Sequence, residues 1–201
     1  MGLLSSGIVV LIYERKTQPD LEISLDPKRT LGFFGGKVPF EFYHVIIRNK
    51  PPGRFFPTRK PAWACHAILD VLDSSGRVLI KDVQARWTSQ PEPLIPALQG
   101  NTISNLLDPA RIVQSRKVDI HVHEDQHLPV LLKYEGDSKC YIFSNESYPY
   151  TLWKRPDWEI SLGEFKIRIT VFYERGPRVF VLGLTNSGTS RDDIKFIIDT
   201  A

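Results

Sequence analysis

At 201 residues, with 42% hydrophobic and 24% charged side chains, the chain is long enough for one domain with a sizeable core and too apolar to be disordered. A net charge of +3, with Lys and Arg scattered rather than massed, argues against nucleic acid or an anionic surface as the main partner. Eleven Phe, seven Tyr and four Trp beside 15 Pro and 13 Gly describe a β-protein with frequent turns.

The chain begins "MGLLSSGIVVLIYERK". Gly2–Tyr13 is apolar apart from two serines, yet shorter than the roughly 20 residues a spanning helix needs. No basic stretch precedes it and no small-residue cleavage site follows, so it is not an ordinary signal peptide. Three readings stand: a short or tilted anchor, an element packed on the domain, or a contact surface. The expectation is a short apolar helix over residues 1–16, held in lipid or against another subunit through Ile8, Val9, Val10, Leu11 and Ile12, because soluble monomers avoid such a patch. Arg15 and Lys16 follow directly, which places the bulk of a membrane-associated chain on the cytoplasmic side.

From Thr17 the pattern becomes extended. "DLEISLD" alternates, and "FEFYHVIIRN" (40–49) is apolar on both faces and reads as a central strand. "KPPGRFFPTRKP" is a loop. In "AWACHAILDVL" (62–72) the parity puts Trp63, Cys65, Ala67, Leu69 and Val71 on one face, and "DSSG" turns the strand into "RVLI". Residues 81–117 read as an irregular insertion, since Pro91, Pro93 and Pro96 rule out a regular central strand.

"KVDIHVH" is the next predicted strand, with His121 and His123 facing away from the core and "HEDQ" as a solvated turn. Two histidines at i and i+2 can share a metal, and His127 can supply a third ligand, so a metal-binding protein using His121, His123 and His127 is an alternative reading. The solvated turn is preferred, and no cofactor is implied. "LPVLLKYEG" and "KCYIFS" form a hairpin, followed by an aromatic loop at 145–158. There Tyr148, Tyr150, Trp153 and Trp158 can stack on a sugar or anchor a protein. The plainer reading has Trp153 and Trp158 closing one end of the core. "NES" at 145–147 fits an N-glycosylation acceptor. "EFKIRITVFY" (164–173) alternates most cleanly; "RVFVLGL" and "IKFII" follow.

These elements describe an all-β protein: an antiparallel immunoglobulin-like β-sandwich over 17–201 behind the apolar segment. Cys65 and Cys140 form no disulfide framework and no zinc pair. Facing sheets can bring them within bonding reach, so a bond between them stays open, though a cytoplasmic location disfavours it. No nucleophile elbow, phosphate loop or HExxH stands out. His44 and His66 fall in separate strands and read as structural.

The stretches "RNK", "RKPAWACHAILDVLDSSGRVL" and "ARWTSQPEP" resemble a family of uncharacterised archaeal and bacterial proteins with an N-terminal membrane segment and an immunoglobulin-like sandwich. The matching positions are Asn49, Ala64–Cys65–His66, Asp73–Gly76, Arg86–Trp87 and Pro91–Glu92–Pro93. "CYIFSNESY" and "GEFKIRITV" extend the resemblance over about residues 19–200. It implies the sandwich and membrane association and brings no enzyme activity. The expected function is a non-enzymatic binding or structural module, membrane-tethered or an accessory subunit, working through protein–protein contacts. Nucleic acid and small-molecule ligands are not expected, and carbohydrate binding by the aromatic loop is a further alternative.

Overall fold

A computed structural model of the chain describes residues 13–28, 30–34, 38–53, 58–99, 102–114 and 116–199. The strands in chain order are β1 (Leu21–Leu25), β2 (Thr30–Phe34), β3 (Val38–Asn49), β4 (Ala62–Asp73), β5 (Val78–Gln84), β6 (Leu94–Gln99) and β7 (Thr102–Leu107). After a short helix (Pro109–Gln114) come β8 (Val118–Ile120), β9 (Asp125–Tyr134), β10 (Cys140–Ile142), β11 (Glu159–Ile160), β12 (Gly163–Tyr173), β13 (Gly176–Asn186) and β14 (Ile194–Ile198).

The strand pairs are antiparallel and build two six-stranded sheets. One runs β1-β3-β9-β10-β11, with β2 beside β1 on the same edge of β3. The other runs β14-β13-β12-β4-β5, with β8 sharing an edge of β4. One core holds both together in a sandwich-like arrangement. Val45, Ile47 and Leu128 enter from the first sheet; Leu69, Ile167, Ile169 and Leu182 enter from the second. Each such side chain, fully buried, contributes about 1.5–3 kcal/mol of transfer free energy. The alternation read in 164–173 is realised in β12: Ile167, Ile169 and Val171 are buried in the core, and Phe165 and Tyr173 pack at its rim.

A second apolar cluster lies apart from this core. Phe40, Leu132, Tyr134, Tyr141 and Phe143 form it, and Phe42, Tyr148, Leu152 and Trp153 cover it. Sidedness explains the split: Phe40 and Phe42 alternate along β3 with Tyr43, Val45 and Ile47, which belong to the main core.

Three expectations need correction. Trp63 does not share a face with Cys65; it is 44% exposed, while Ala62 and Cys65 are both fully buried. Two inward residues three apart require an extra one between them. That residue is Ala64, at φ 50, where the pairing with β8 shifts register. Next, residues 81–117 are not simply irregular. β5 continues to Gln84, and β6 and β7 pair residue for residue as a separate ribbon. Pro96 is tolerated there because, among the described residues, β6 has a strand neighbour on one side only. Finally, the turn after β8 falls at 121–124, closed by Glu124 N donating to the His121 carbonyl at 3.3 Å. Asp125, Gln126 and His127 already belong to β9.

The expected helix over 1–16, and with it Ile8, Val9, Val10, Leu11 and Ile12, lies outside the described residues except at its end. Residues 13–16 are helical. Among the described residues no helix is long and apolar enough to cross a membrane. Thr17 and Pro19 are buried, and Lys60 N donates to the Thr17 carbonyl at 2.7 Å, so the polar segment leading into β1 is docked on the domain.

Candidate functional site

A cleft lies between two sheet edges. β1 stops at Leu25 opposite Val45, and β2 resumes at Thr30 opposite Phe42. Between the two stretches Asp26 N donates to the His44 carbonyl at 3.2 Å. The edge of the other sheet, β14, borders the same region. A cleft of about 520 Å³ results, walled by Leu25–Lys28, Phe42–His44 and Ile194–Ile197.

Asp26 organises one wall. His127 Nδ1 donates to Asp26 Oδ2 at 2.6 Å, and Lys28 N donates to Oδ1 at 2.8 Å. The Asp26 side chain is almost buried and His127 is about a third exposed. The pair is thus a latch that fixes the 26–28 turn across to β9. His44 stands beside it. Burial pushes its pKa below the ordinary 6.5; Asp26 pulls it up, His127 and Arg86 push it down, and the Phe42 carbonyl pulls it slightly up. The ring is neutral at pH 7. Its Nδ1 is shut off from water without a well-formed hydrogen bond. Lys28 and Lys195 stand on opposite walls, and neither has an ion-pair partner among the described residues.

A second, shallow depression is lined by Lys60, Trp63, Glu174 and Arg175. The exposed Trp63 meets the His121 ring edge-on, centroids 5.5 Å apart.

The structure does not gather the predicted ligands. His121 sits against Trp63, His123 is an exposed turn residue at φ 68, and His127 points to Asp26. Among the described residues no three His, Cys, Asp or Glu side chains are placed to hold a metal. Of the aromatic loop residues, Trp158 is buried in the main core under the Arg155 guanidinium, 4.1 Å from the ring centroid. Trp153 packs on Phe40, Phe42 and Phe143. Tyr148 accepts from Arg86 Nη1 at 2.9 Å and donates to Glu92. Tyr150 alone of the four is exposed. Asn145 is buried, its Nδ2 donating to the Ile112 carbonyl at 3.2 Å, so the folded chain hides the glycosylation acceptor.

Cys65 and Cys140 are free thiols, so the bond left open from the sequence is not formed. They sit in different sheets within one core. Burial pushes both up to about 12, which keeps them protonated and unreactive.

No family model, curated protein or solved structure matches the chain. The resemblance noted above is carried by its motifs alone, and their residues act as staples. Asn49 ties three segments together. Arg86, nearly buried, pairs with Glu92 at 2.7 Å and donates to the Gln90 carbonyl. Trp87 is fully buried, its Nε1 shared between the Cys65 and Arg116 carbonyls at 3.2 Å. The residues that sequence reasoning missed are Asp26, Lys28, Lys195 and Ile197, together with His44, which it read as structural. None carries a local signal. The one hint was the polar "DPK" at the end of an alternating strand.

Proposed function

We propose that the chain is a non-enzymatic, immunoglobulin-like binding module that works at a membrane through protein–protein contacts. The observation that carries this reading is where the apolar surface lies. Leu31 and Phe33 on β2 are 61% and 67% exposed, and Ile197 on β14 is 67% exposed. All three belong to outermost strands, which are natural places for another chain to dock. Ile95, Leu106 and Leu107 on the β6–β7 ribbon, with Val113 on the following helix, add a second exposed apolar area. A two-stranded ribbon is marginal by itself in water, so a partner would stabilise it.

Strand order supports the immunoglobulin-like assignment. β1, β3 and β9 take the places of strands A, B and E, and β5, β4, β12 and β13 those of C′, C, F and G. The tether rests on the apolar run Ile8–Ile12, the basic residues after it, and the family resemblance.

The test uses the full chain in cells. A photo-crosslinking residue replacing Phe33 should give discrete protein adducts in the membrane fraction, and one replacing the exposed Val179 should not. Equal adduct patterns at both positions, or none at 33, would overturn the reading. Recovery of a chain lacking residues 1–16 in the membrane fraction would overturn the tether alone.

A further inference from the structure

We propose that the depression beside Trp63 is a binding site for an acidic glycan, taking one uronate unit of a saccharide chain. The site is distinct from the cleft described above and goes beyond the binding-module reading.

The backbone is bent in a way that exposes the tryptophan. Ala62 and Cys65 both face the core, and between them Ala64 sits at φ 50, a left-handed conformation that alanine rarely adopts. Asp119 on β8 holds it there, its Oδ1 accepting from Ala64 N at 2.7 Å. Without the inserted residue, strand parity would turn Trp63 inward beside Cys65. Instead Trp63 is 44% exposed, whereas Trp87 and Trp158 are buried. Bulges re-aim side chains in this manner next to functional sites, and strained backbone collects at ligand sites.

The groups around the ring are charged and unpaired. Pairing between β4 and β12 ends at His66 and Phe172. Beyond that pair a depression of about 680 Å³ opens between Lys60 and Trp63 on one side and the Glu174–Arg175 turn on the other. His121 braces the indole edge-on, centroids 5.5 Å apart. Lys60, Glu174 and Arg175 are exposed, and none of the three side chains forms an ion pair or a hydrogen bond among the described residues.

This lining matches one ligand chemistry. A pyranose presents an apolar C–H face that stacks on an indole, and a rim of hydroxyl groups that exchange hydrogen bonds with charged side chains. A carboxylate on the same ring meets Lys60 as a point charge and Arg175 as a two-pronged donor. Glu174 accepts from a neighbouring hydroxyl. Two cations against one carboxylate leave positive charge uncompensated by a neutral sugar and compensated by a uronate. An apolar small molecule finds no enclosed apolar pocket here. An open depression instead admits a chain that continues past it on both sides.

The test titrates the folded full chain at low salt with tetragalacturonate, its methyl ester and citrate, followed by NMR of backbone amides and indole N–H groups. Tetragalacturonate should bind saturably and shift the Trp63 indole together with amides of residues 60–64 and 174–176. The methyl ester has the same rings without the charge and should bind at least about tenfold more weakly. Citrate carries the charge without a sugar face and should leave the indole signal unmoved. Trp63→Ala, and Lys60→Gln combined with Arg175→Gln, should each weaken tetragalacturonate binding at least about tenfold without lowering Tm, because all three side chains are exposed. Val179→Ser should change nothing.

No saturable binding of tetragalacturonate, or undiminished binding by Trp63→Ala, would overturn the site. Equal binding of the methyl ester would overturn the acidic assignment. Citrate displacing tetragalacturonate on equal terms would leave an adventitious anion site only and overturn glycan recognition.

Discussion

Removing the Asn49 side chain should destabilise the protein far more than its small size suggests. Asn49 is fully buried at the end of β3. Its Oδ1 accepts from Asp20 N at 3.1 Å, and its Nδ2 donates to the Lys60 carbonyl at 2.9 Å and, at a longer 3.4 Å, to the Ile120 carbonyl. One amide thus joins the segment entering β1, the end of the 50–61 loop, and β8. The Lys50 N to Asp20 and Lys60 N to Thr17 bonds, at 3.0 and 2.7 Å, depend on the same alignment. In Asn49→Ala these backbone groups lose their partner. A buried polar group left unsatisfied costs about 1–3 kcal/mol, and water can reach Asp20 and Lys60 in part, so the expected loss is about 3 kcal/mol.

For a domain of this size that corresponds to a fall in Tm of roughly 6–12 °C. Urea titration should show a lower midpoint at unchanged slope. Asn49→Asp keeps the Oδ1 acceptor but sets an acceptor against two carbonyls, so it should cost at least as much. Trypsin should cut both variants faster after Arg59, since Pro51 and Pro61 protect the bonds after Lys50 and Lys60. A Tm change under about 2 °C in both variants would refute the reasoning, because water would then be replacing the amide without cost.

Trp153→Ala should cost about 3 kcal/mol by calorimetry, since the ring covers Phe40, Phe42 and Phe143, while Tyr150→Ala should stay within about 0.5 kcal/mol; the reverse order would make the loop a binding surface rather than a lid. Iodoacetamide at pH 8 should label neither Cys65 nor Cys140 until urea unfolds the chain, because burial holds both thiols at about 12. His44 has a folded pKa below the 6.5 of the unfolded chain, so the unfolded state binds the extra proton. Stability is therefore complete above about pH 6.5 and falls as pH drops below it, and His44→Gln should flatten the urea midpoint between pH 6.5 and 5. Chelation by EDTA should leave Tm unmoved; a stoichiometric metal lost on His127→Ala would restore the histidine-cluster reading.

How far the fold can be read locally depends on whether a strand keeps its period. β12 keeps it from Gly163 to Tyr173, and its core face follows from counting by two. β4 breaks it at Ala64. One inserted residue there moved Trp63 from the predicted core face to the surface, although the strand itself was correctly placed. The local pattern opens β9 at Leu128 because "HEDQ" looks like a turn, whereas the pairing of Asp125 with Arg48 extends the strand and is sealed by the Arg48–Asp125 ion pair at 2.5 Å. That is tertiary pairing overriding local propensity. In β6, Pro96 excluded a central strand and was compatible with a ribbon, a distinction that depends on what lies alongside.

The cleft illustrates why a site of this kind leaves so little trace in the chain. Its latch joins Asp26 to His127, 101 positions away, and its opposite wall comes from the last strand. Taken one at a time, "DPK" is a turn, His44 is a strand residue, and "IKFII" is a short alternating run. What joins them is the strand order: β1 and β2 follow one another along β3, and β14 lies beyond β13 in the other sheet. Such a juxtaposition is a property of the whole strand order and has no composition or spacing of its own. The histidines of "VDIHVHEDQH" are conspicuous as a string, yet the fold sends His121 to Trp63 and His127 to Asp26. Proximity in sequence there does not become proximity in space, because a turn stands between β8 and β9 and the two strands belong to different sheets. The same sorting that separates the histidines brings Leu25–Lys28 and Ile194–Ile197 to the walls of one cleft.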